Sequence, residues 1–185
     1  MSEVVLQGMG AIPHETGVAF RVWAPHADKV FLTGTFNDWS EDSHPLERED
    51  QGTWYADVDS ASIGDEYRYL IHNGPQKLSR IDPYAREVTN SVGNSVVHNP
   101  EFDWEGDDFQ IAPHNELVIY ELHVGSFNGE VEGGPGDFAS VLERINHFKR
   151  LGVNAIQVMP TAEFAGDYSW GYNPAHIFAV ESIYG

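Results

Sequence analysis

The 185-residue sequence contains no cysteine. Disulfide staples, thiolate nucleophiles and cysteine-based zinc sites are therefore excluded. Basic residues are also scarce. Ten Lys plus Arg stand against 29 Asp plus Glu, a formal net charge of −19, and lysine occurs only at Lys29, Lys77 and Lys149. Such a surface repels nucleic acid and offers it no basic patch, whereas a neutral polymer is not repelled. The acidic surplus fits ordinary solubility or a high-salt cytoplasm. No run approaches the roughly eighteen apolar residues of a membrane span, so no membrane partner is expected. The opening MSEVVLQGMG has neither a basic n-region nor an apolar run of signal-peptide length, which points to the cytoplasm. Zinc-ligand spacing, a phosphate-binding loop and a dinucleotide fingerprint are all missing, so neither a metal nor a cofactor is expected.

What is present suffices for a packed core, since 41% of residues are hydrophobic. In GVAFRVWA (17–24), Val18, Phe20 and Val22 alternate with Ala19 and Arg21, the period of a half-buried strand that Pro25 stops. Val30–Thr35 reads as a second strand. TWYADVD places Trp54, Ala56 and Val58 on one face, and EYRYLIH places Tyr67, Tyr69 and Ile71 on one face. Gly64-Asp65 supplies a turn, and Asn73-Gly74 is a hairpin signal that Pro75 is expected to lengthen. Ser95–His98 makes a last short strand. Several short strands with no helix between them predict an antiparallel β-sandwich of roughly 100 residues.

The pattern changes after Pro100. Residues 101–115 read as a polar connector anchored by Phe102, Trp104 and Phe109, with domains expected at 1–108 and 109–185. LVIYELHV (117–124) is nearly all apolar, as in a strand covered on both faces of a parallel sheet. Asp137 is placed to N-cap a helix in which Phe138, Val141, Leu142, Ile145 and Phe148 recur at helical spacing. Lys149 and Arg150 suit its C-terminus, and Gly152 its C′ position. Val153–Met159 follows as a second buried strand, completing a βαβ unit. Such a unit cannot cover both faces of its own strands, so either the sandwich packs on it or it belongs to a larger fold. A full (β/α)8 barrel takes roughly 250 residues, more than remain here.

Four features carry candidate chemistry. Trp39, in the polar turn FNDWS, offers an aromatic face of the kind that stacks on sugar rings, or else caps the core beneath the turn. Arg68 and Asn94 are candidate partners for hydroxyl groups. His123, at the end of the first parallel strand, lies where such folds gather ligands, though a structural histidine is the better reading because no base or nucleophile partner can be named. YSWGYNPAH (168–176) concentrates Tyr168, Trp170 and Tyr172 as a sugar-facing wall or a hydrophobic loop anchor. Glycosidic chemistry needs two carboxylates across one bond. Glu121, Glu163 and Asp167 are available, but nothing in the sequence pairs any two of them, and His176 stands alone. No catalytic residue is assigned.

These residues resemble a known family. FRVWAP, VFLTGTFNDW, DEYRYLI and IDPYARE are similar to a family 48 carbohydrate-binding module. IYELHVGSF, LGVNAIQVMP and SWGYNPAHIFAVESIYG resemble the first strands of the catalytic barrel in the α-amylase superfamily (glycoside hydrolase family 13). Within it, the resemblance is to the glycogen-branching members, with glycosyltrehalose trehalohydrolases and isoamylase-type debranching enzymes as alternatives. It implies an immunoglobulin-like sandwich of the early-set type followed by an incomplete (β/α)8 barrel segment. The implied partner is an α-glucan: glycogen, starch or a maltooligosaccharide. The implied sugar contacts are Trp39, Arg68 and Asn94 in the sandwich and Tyr172 beside the scissile region. GPQKLSR, after the hairpin turn, lacks the second stacking tryptophan of glycogen-sensing modules. The resemblance also implies that the nucleophilic aspartate and the glutamate acid/base stand on later strands, so that this chain is an inactive piece of a longer enzyme. In that enzyme a covalent glycosyl-aspartate would be passed to a 6-hydroxyl or to water.

Overall fold

The structure, a computed structural model, describes residues 6–129, 134–166 and 169–185. The chain divides into two compact units: Met1–Asn99 with His176–Ala179, and Pro100–Ala175 with Val180–Gly185.

The first unit is a sandwich of two antiparallel sheets. Its strands are β1 (Gly10–His14), β2 (Gly17–Trp23), β3 (Lys29–Gly34), β4 (His44–Pro45), β5 (Glu47–Arg48), β6 (Thr53–Val58), β7 (Glu66–Asn73), β8 (Gln76–Arg80), β9 (Glu87–Val88) and β10 (Ser95–Val96). One sheet runs β1-β2-β6-β5, the other β4-β3-β7-β10-β9, with β8 paired to β7. The alternation read in the sequence fills the space between them: Val18, Phe20, Val22, Val30, Leu32, Trp54, Val58, Tyr67 and Tyr69 form one buried cluster. Phe20 meets Tyr67 edge-on at 5.0 Å, and the Trp54 indole N–H donates to the carbonyl of Ala24 at 2.9 Å.

Two expectations for this unit are corrected. β2 is not half-buried, because Ala19 and Arg21 on its outer face are covered as well. The Arg21 guanidinium lies under the amino-terminal segment, donating to the carbonyls of Leu6 and Gly8 and forming a two-pronged ion pair with Glu49. Nor does Pro75 lengthen the β7–β8 hairpin. Asn73 pairs directly with Gln76, leaving a two-residue Gly74-Pro75 turn in which Gly74 takes φ +52°. Glycine at the first turn position supplies the left-handed step, and proline at the second suits a position that donates no ladder bond.

The second unit contains a parallel pair, β11 (Ile119–Leu122) and β12 (Ala155–Val158), in register Ile119↔Ala155 to Leu122↔Val158. Between them lie α1 (Val124–Phe127), α2 (Phe138–Leu142) and α3 (Ile145–Leu151). β13 (Ala162–Phe164) pairs with β14 (Pro174–Val180). Asp137 caps α2 as expected, its carboxylate accepting the Ser140 N–H at 2.7 Å, and Gly152 ends α3 at φ +76°.

The single expected helix is two. Arg144, at φ −96° and ψ 7°, leaves helical geometry while its side chain donates to Asn128 Oδ1 at 2.7 Å. The two strands are shorter than read and are not covered on both faces. Leu122 and Val124 are buried with Phe148, Phe164 and Tyr184, while Val118, Ile119, Ile156 and Val158 are exposed. Phe102, Trp104 and Phe109 do not anchor the connector and are all largely exposed. Phe102 and Trp104 pack edge-on against each other at 4.8 Å, and the adjoining chain is shaped by Asp103 and Asp107 accepting nearby backbone N–H groups.

Candidate functional site

The outer face of the β3–β7–β10 sheet brings two of the expected sugar contacts together. Tyr67 and Tyr69 point into the core, so Arg68 between them points outward. Across the ladder, Thr33 pairs with Arg68 and Ser95 with Tyr67, which sets Asn94 beside Arg68. Arg68 Nε donates to Ser79 Oγ at 2.7 Å. Its Nη1 reaches the carbonyl of Gly93 and, at 3.5 Å, Asn94 Oδ1. Asn94 Nδ2 donates to Glu66 Oε2 at 2.7 Å. The guanidinium and the carboxamide are therefore oriented before any ligand arrives, and among the described residues the Arg68 Nη2 protons and the second Asn94 amide proton remain free to donate.

Trp39 sits at the same end of this sheet. Asn37 builds its turn, accepting the Gly34 N–H at 2.9 Å and donating to the carbonyl of Leu32 at 3.2 Å. Asp38 and Trp39 both take positive φ, at 51° and 58°, and the Trp39 N–H closes the turn on the carbonyl of Gly34 at 2.9 Å. Gly34 is required there, because a Cβ would lie 2.4 Å from the carbonyl oxygen of Glu66. Trp39 is 39% exposed, so part of its ring faces solvent.

Thr33 was not singled out from the sequence. It is 5% exposed, with its hydroxyl unpartnered, on the same outer face as Arg68. Glu66, which holds the Asn94 carboxamide, was missed as well. Neither residue stands out in a strand whose alternation reads only as inside and outside.

In the second unit, Tyr172 is 65% exposed at the end of the Ser169–Tyr172 turn. Trp170 beside it is also exposed, while Tyr168 and Asp167 lie outside the described residues. Gly171 holds the turn against Pro160, where a Cβ would come within 2.4 Å of the carbonyl oxygen. His123 is held by two contacts: Tyr184 Oη lies 2.8 Å from its Nε2 and Ser126 Oγ 3.0 Å from its Nδ1, and burial pushes its pKa down. Glu121 accepts from Gln157 on the neighbouring strand at 2.7 Å. Glu163 and Glu181 are buried; they accept the backbone N–H groups of Ser182 at 2.7 Å and Phe164 at 2.9 Å, stapling the chain around β13. His176 meets the carbonyl of Ser91 at 3.1 Å. Among the described residues no group of three His, Asp or Glu side chains is gathered to hold a metal, and no helix is long and apolar enough to cross a membrane.

Residues 8–85 match the family described as carbohydrate-binding module 48 (isoamylase N-terminal domain). Over those residues the sandwich is similar to that family. The module's matched stretch runs from before β1 to beyond β8 and includes Trp39 and Arg68, while Asn94 lies past it.

The similarity continues past the module. Over 172 residues the chain is 35% identical to a malto-oligosyltrehalose trehalohydrolase of Saccharolobus solfataricus, covering 92% of the chain and 28% of that relative. Over 192 residues it is 33% identical to a 1,4-α-glucan branching enzyme of Salinibacter ruber, covering 96% of the chain and 31% of the relative. Among solved structures, a putative α-amylase from Salmonella typhimurium superposes with a TM-score of 0.80 at 27% identity, over 98% of this chain and 29% of that one. A type I pullulanase from Bacillus subtilis complexed with maltose gives 0.80 at 27% identity, over 97% and 28%. The chain is homologous to the amino-terminal region of the branching-enzyme and amylase family. It spans less than a third of the length of these relatives.

Proposed function

We propose that this chain is the opening part of an α-glucan-active enzyme, most like a 1,4-α-glucan branching enzyme, whose module 48 sandwich holds the glucan through Trp39, Arg68 and Asn94. The observation that carries the enzyme reading is continuity: the similarity to these enzymes covers 92% of the chain or more and so runs through both units. In this reading β11 and β12 are the first strands of a (β/α)8 barrel, and the boundary between the two domains falls near residue 108. Tyr172 faces the sugar next to the scissile bond. As the family resemblance implies, the nucleophilic aspartate and the acid/base glutamate belong to later strands; here Glu121, Glu163 and Glu181 accept from Gln157 and from backbone amides. The complete enzyme passes a glycosyl unit from its covalent aspartate ester to a glucan 6-hydroxyl.

The sandwich reading is supported by chemistry already oriented. Trp39 offers apolar area at small entropic cost, and Arg68 and Asn94 offer fixed donors to hydroxyl groups. A second reading is favoured by the trehalohydrolase relative: in it the same kind of intermediate would pass to water. Incubating the protein expressed from the full reading frame with amylose separates the two. New α-1,6 linkages support branching, and release of trehalose from a trehalose-ended maltooligosaccharide supports the hydrolase. A reading frame that stops at Gly185 and yields neither activity refutes the enzyme proposal. For the module, titration calorimetry with maltoheptaose should show Trp39→Ala weakening binding roughly fivefold or more. Equal heats in both proteins refute the Trp39 assignment.

A further inference from the structure

The other sheet of the sandwich carries a second exposed tryptophan with no assigned role. Trp23, at the end of β2, is 61% exposed, the most exposed of the large aromatic side chains in the module. It is not loose, because its indole N–H donates to the carbonyl of Gln51 at 3.2 Å. That carbonyl is aimed by a built turn. Gln51 takes φ +60° and Gly52 φ +82°, and a Cβ at residue 52 would lie 2.6 Å from Pro25. The turn is fixed by Ala24 N–H donating to the carbonyl of Gly52 at 2.9 Å, and by Thr53 Oγ1 and Arg48 Nη2 donating to the carbonyls of Asp50 and Pro25. A non-glycine residue held in the left-handed region costs about 1 kcal/mol or more, which the surrounding bonds must offset. The result is a tryptophan whose ring is fixed and whose face is left to solvent.

Beside it lies a cleft of about 450 Å³ lined by Gln7, Gly8, Met9, Arg21, Glu49, Asp50, Gln51 and Thr53. Trp23 borders the cleft through two of these residues, pairing with Thr53 across the β2–β6 ladder and bonding to Gln51. Its floor is the Arg21–Glu49 pair, in which Arg21 Nε and Nη2 donate to the two Glu49 oxygens at 2.8 and 3.0 Å. The two charges cancel; with Arg21 Nη1 spent on the carbonyls of Leu6 and Gly8, it is chiefly the partly exposed Glu49 carboxylate that is left to accept from a ligand. Gln7, Gln51 and Thr53 add amide and hydroxyl groups at the rim. A flat apolar platform beside amide, hydroxyl and carboxylate groups suits a pyranose, whose faces are apolar and whose edges are hydroxyls. An anion is disfavoured by Asp50 and by the net charge of −19.

We propose that Trp23 and the cleft around Arg21, Glu49, Gln51 and Thr53 form a second glucan-binding site, on the sheet opposite Arg68 and Asn94. This site takes the same ligand class as the proposed Trp39 patch but shares no residue with it. Two sites on opposite faces make the module bivalent toward long chains, so its affinity rises with chain length beyond what either face provides.

The test is a titration of the 185-residue chain with maltoheptaose, followed by ¹H–¹⁵N correlation spectra in a Trp39→Ala/Arg68→Ala background. The Trp23 indole resonance is assigned by its disappearance in Trp23→Phe. The expected result is a saturable shift of that resonance and of the Gln51 and Thr53 amides, abolished at Gln51 and Thr53 by Trp23→Ala while circular dichroism stays native. Unmoved Trp23, Gln51 and Thr53 signals at about 10 mM ligand, where even a millimolar site is largely filled, overturn the proposal. The Trp39 patch is judged separately by the Arg68 and Asn94 signals in the wild type. Shifts there without shifts at Trp23 sink the second site alone, and the reverse pattern sinks the first while supporting the second.

Discussion

Asp82→Ala should destabilise the sandwich by about 2–5 kcal/mol, although Asp82 touches no candidate ligand. The magnitude follows from what the carboxylate holds. Asp82 is fully buried, and Tyr67 Oη donates to its Oδ2 at 2.7 Å, with Tyr69 Oη at 3.4 Å. The Tyr84 N–H donates to Oδ1 at 2.8 Å. Truncation leaves up to three donors without an acceptor in a closed core, each costing about 1–3 kcal/mol, and part of this is recovered where a tyrosine hydroxyl turns to Ser95. Asp82→Asn keeps an oxygen for Tyr84 and should cost about 1 kcal/mol.

The same residue gives a pH signature. Burial raises the Asp82 carboxyl above its ordinary 3.8, against the opposing bonds from Tyr67, Tyr84 and Tyr69. The folded chain therefore holds this proton more tightly than the unfolded chain does. The stabilisation is fully present below the unfolded pKa and is lost as pH rises through the folded one. Urea unfolding of wild type and Asp82→Asn, followed by circular dichroism, should show the wild type gaining on the variant as pH falls through that window. Taking the difference cancels the other carboxylates. An alanine variant within about 0.5 kcal/mol of wild type, or a difference that ignores pH, would refute this account of the core.

Other outcomes follow from single contacts. Asp137→Ala removes the acceptor for the Ser140 N–H and should cost the second unit about 1 kcal/mol, read by hydrogen exchange at Ser140 and Val141. Gly52→Ala forces a side chain into the left-handed region and against Pro25, so it should lower stability by about 1–3 kcal/mol, measured by thermal melting. Burial lowers the His123 pKa below 6.5, so the folded chain binds this proton less readily than the unfolded chain. Stability from this group is complete above 6.5 and declines as pH falls below it, and NMR titration should place the His123 midpoint under 6.5.

Alternation of side chains was enough to place the core of the sandwich. Phe20, Trp54, Tyr67 and Tyr69 lie inside because a strand has only two faces and polar neighbours occupy the other. The helix cap at Asp137 and the stop at Gly152 were legible for the same reason, being set by contacts a few residues away. The FNDWS turn announced an unusual position for Trp39, and the motifs announced the family. What the sequence could not supply was everything that depends on residues distant along the chain. The burial of Arg21 rests on Glu49 and on the amino-terminal segment. The orientation of Asn94 rests on Glu66 and Arg68, and the break between α2 and α3 falls where Arg144 reaches Asn128. The apolar runs around β11 and β12 show the same limit: hydrophobic composition records that a surface suits burial, while the neighbours that cover it are fixed by tertiary contacts alone.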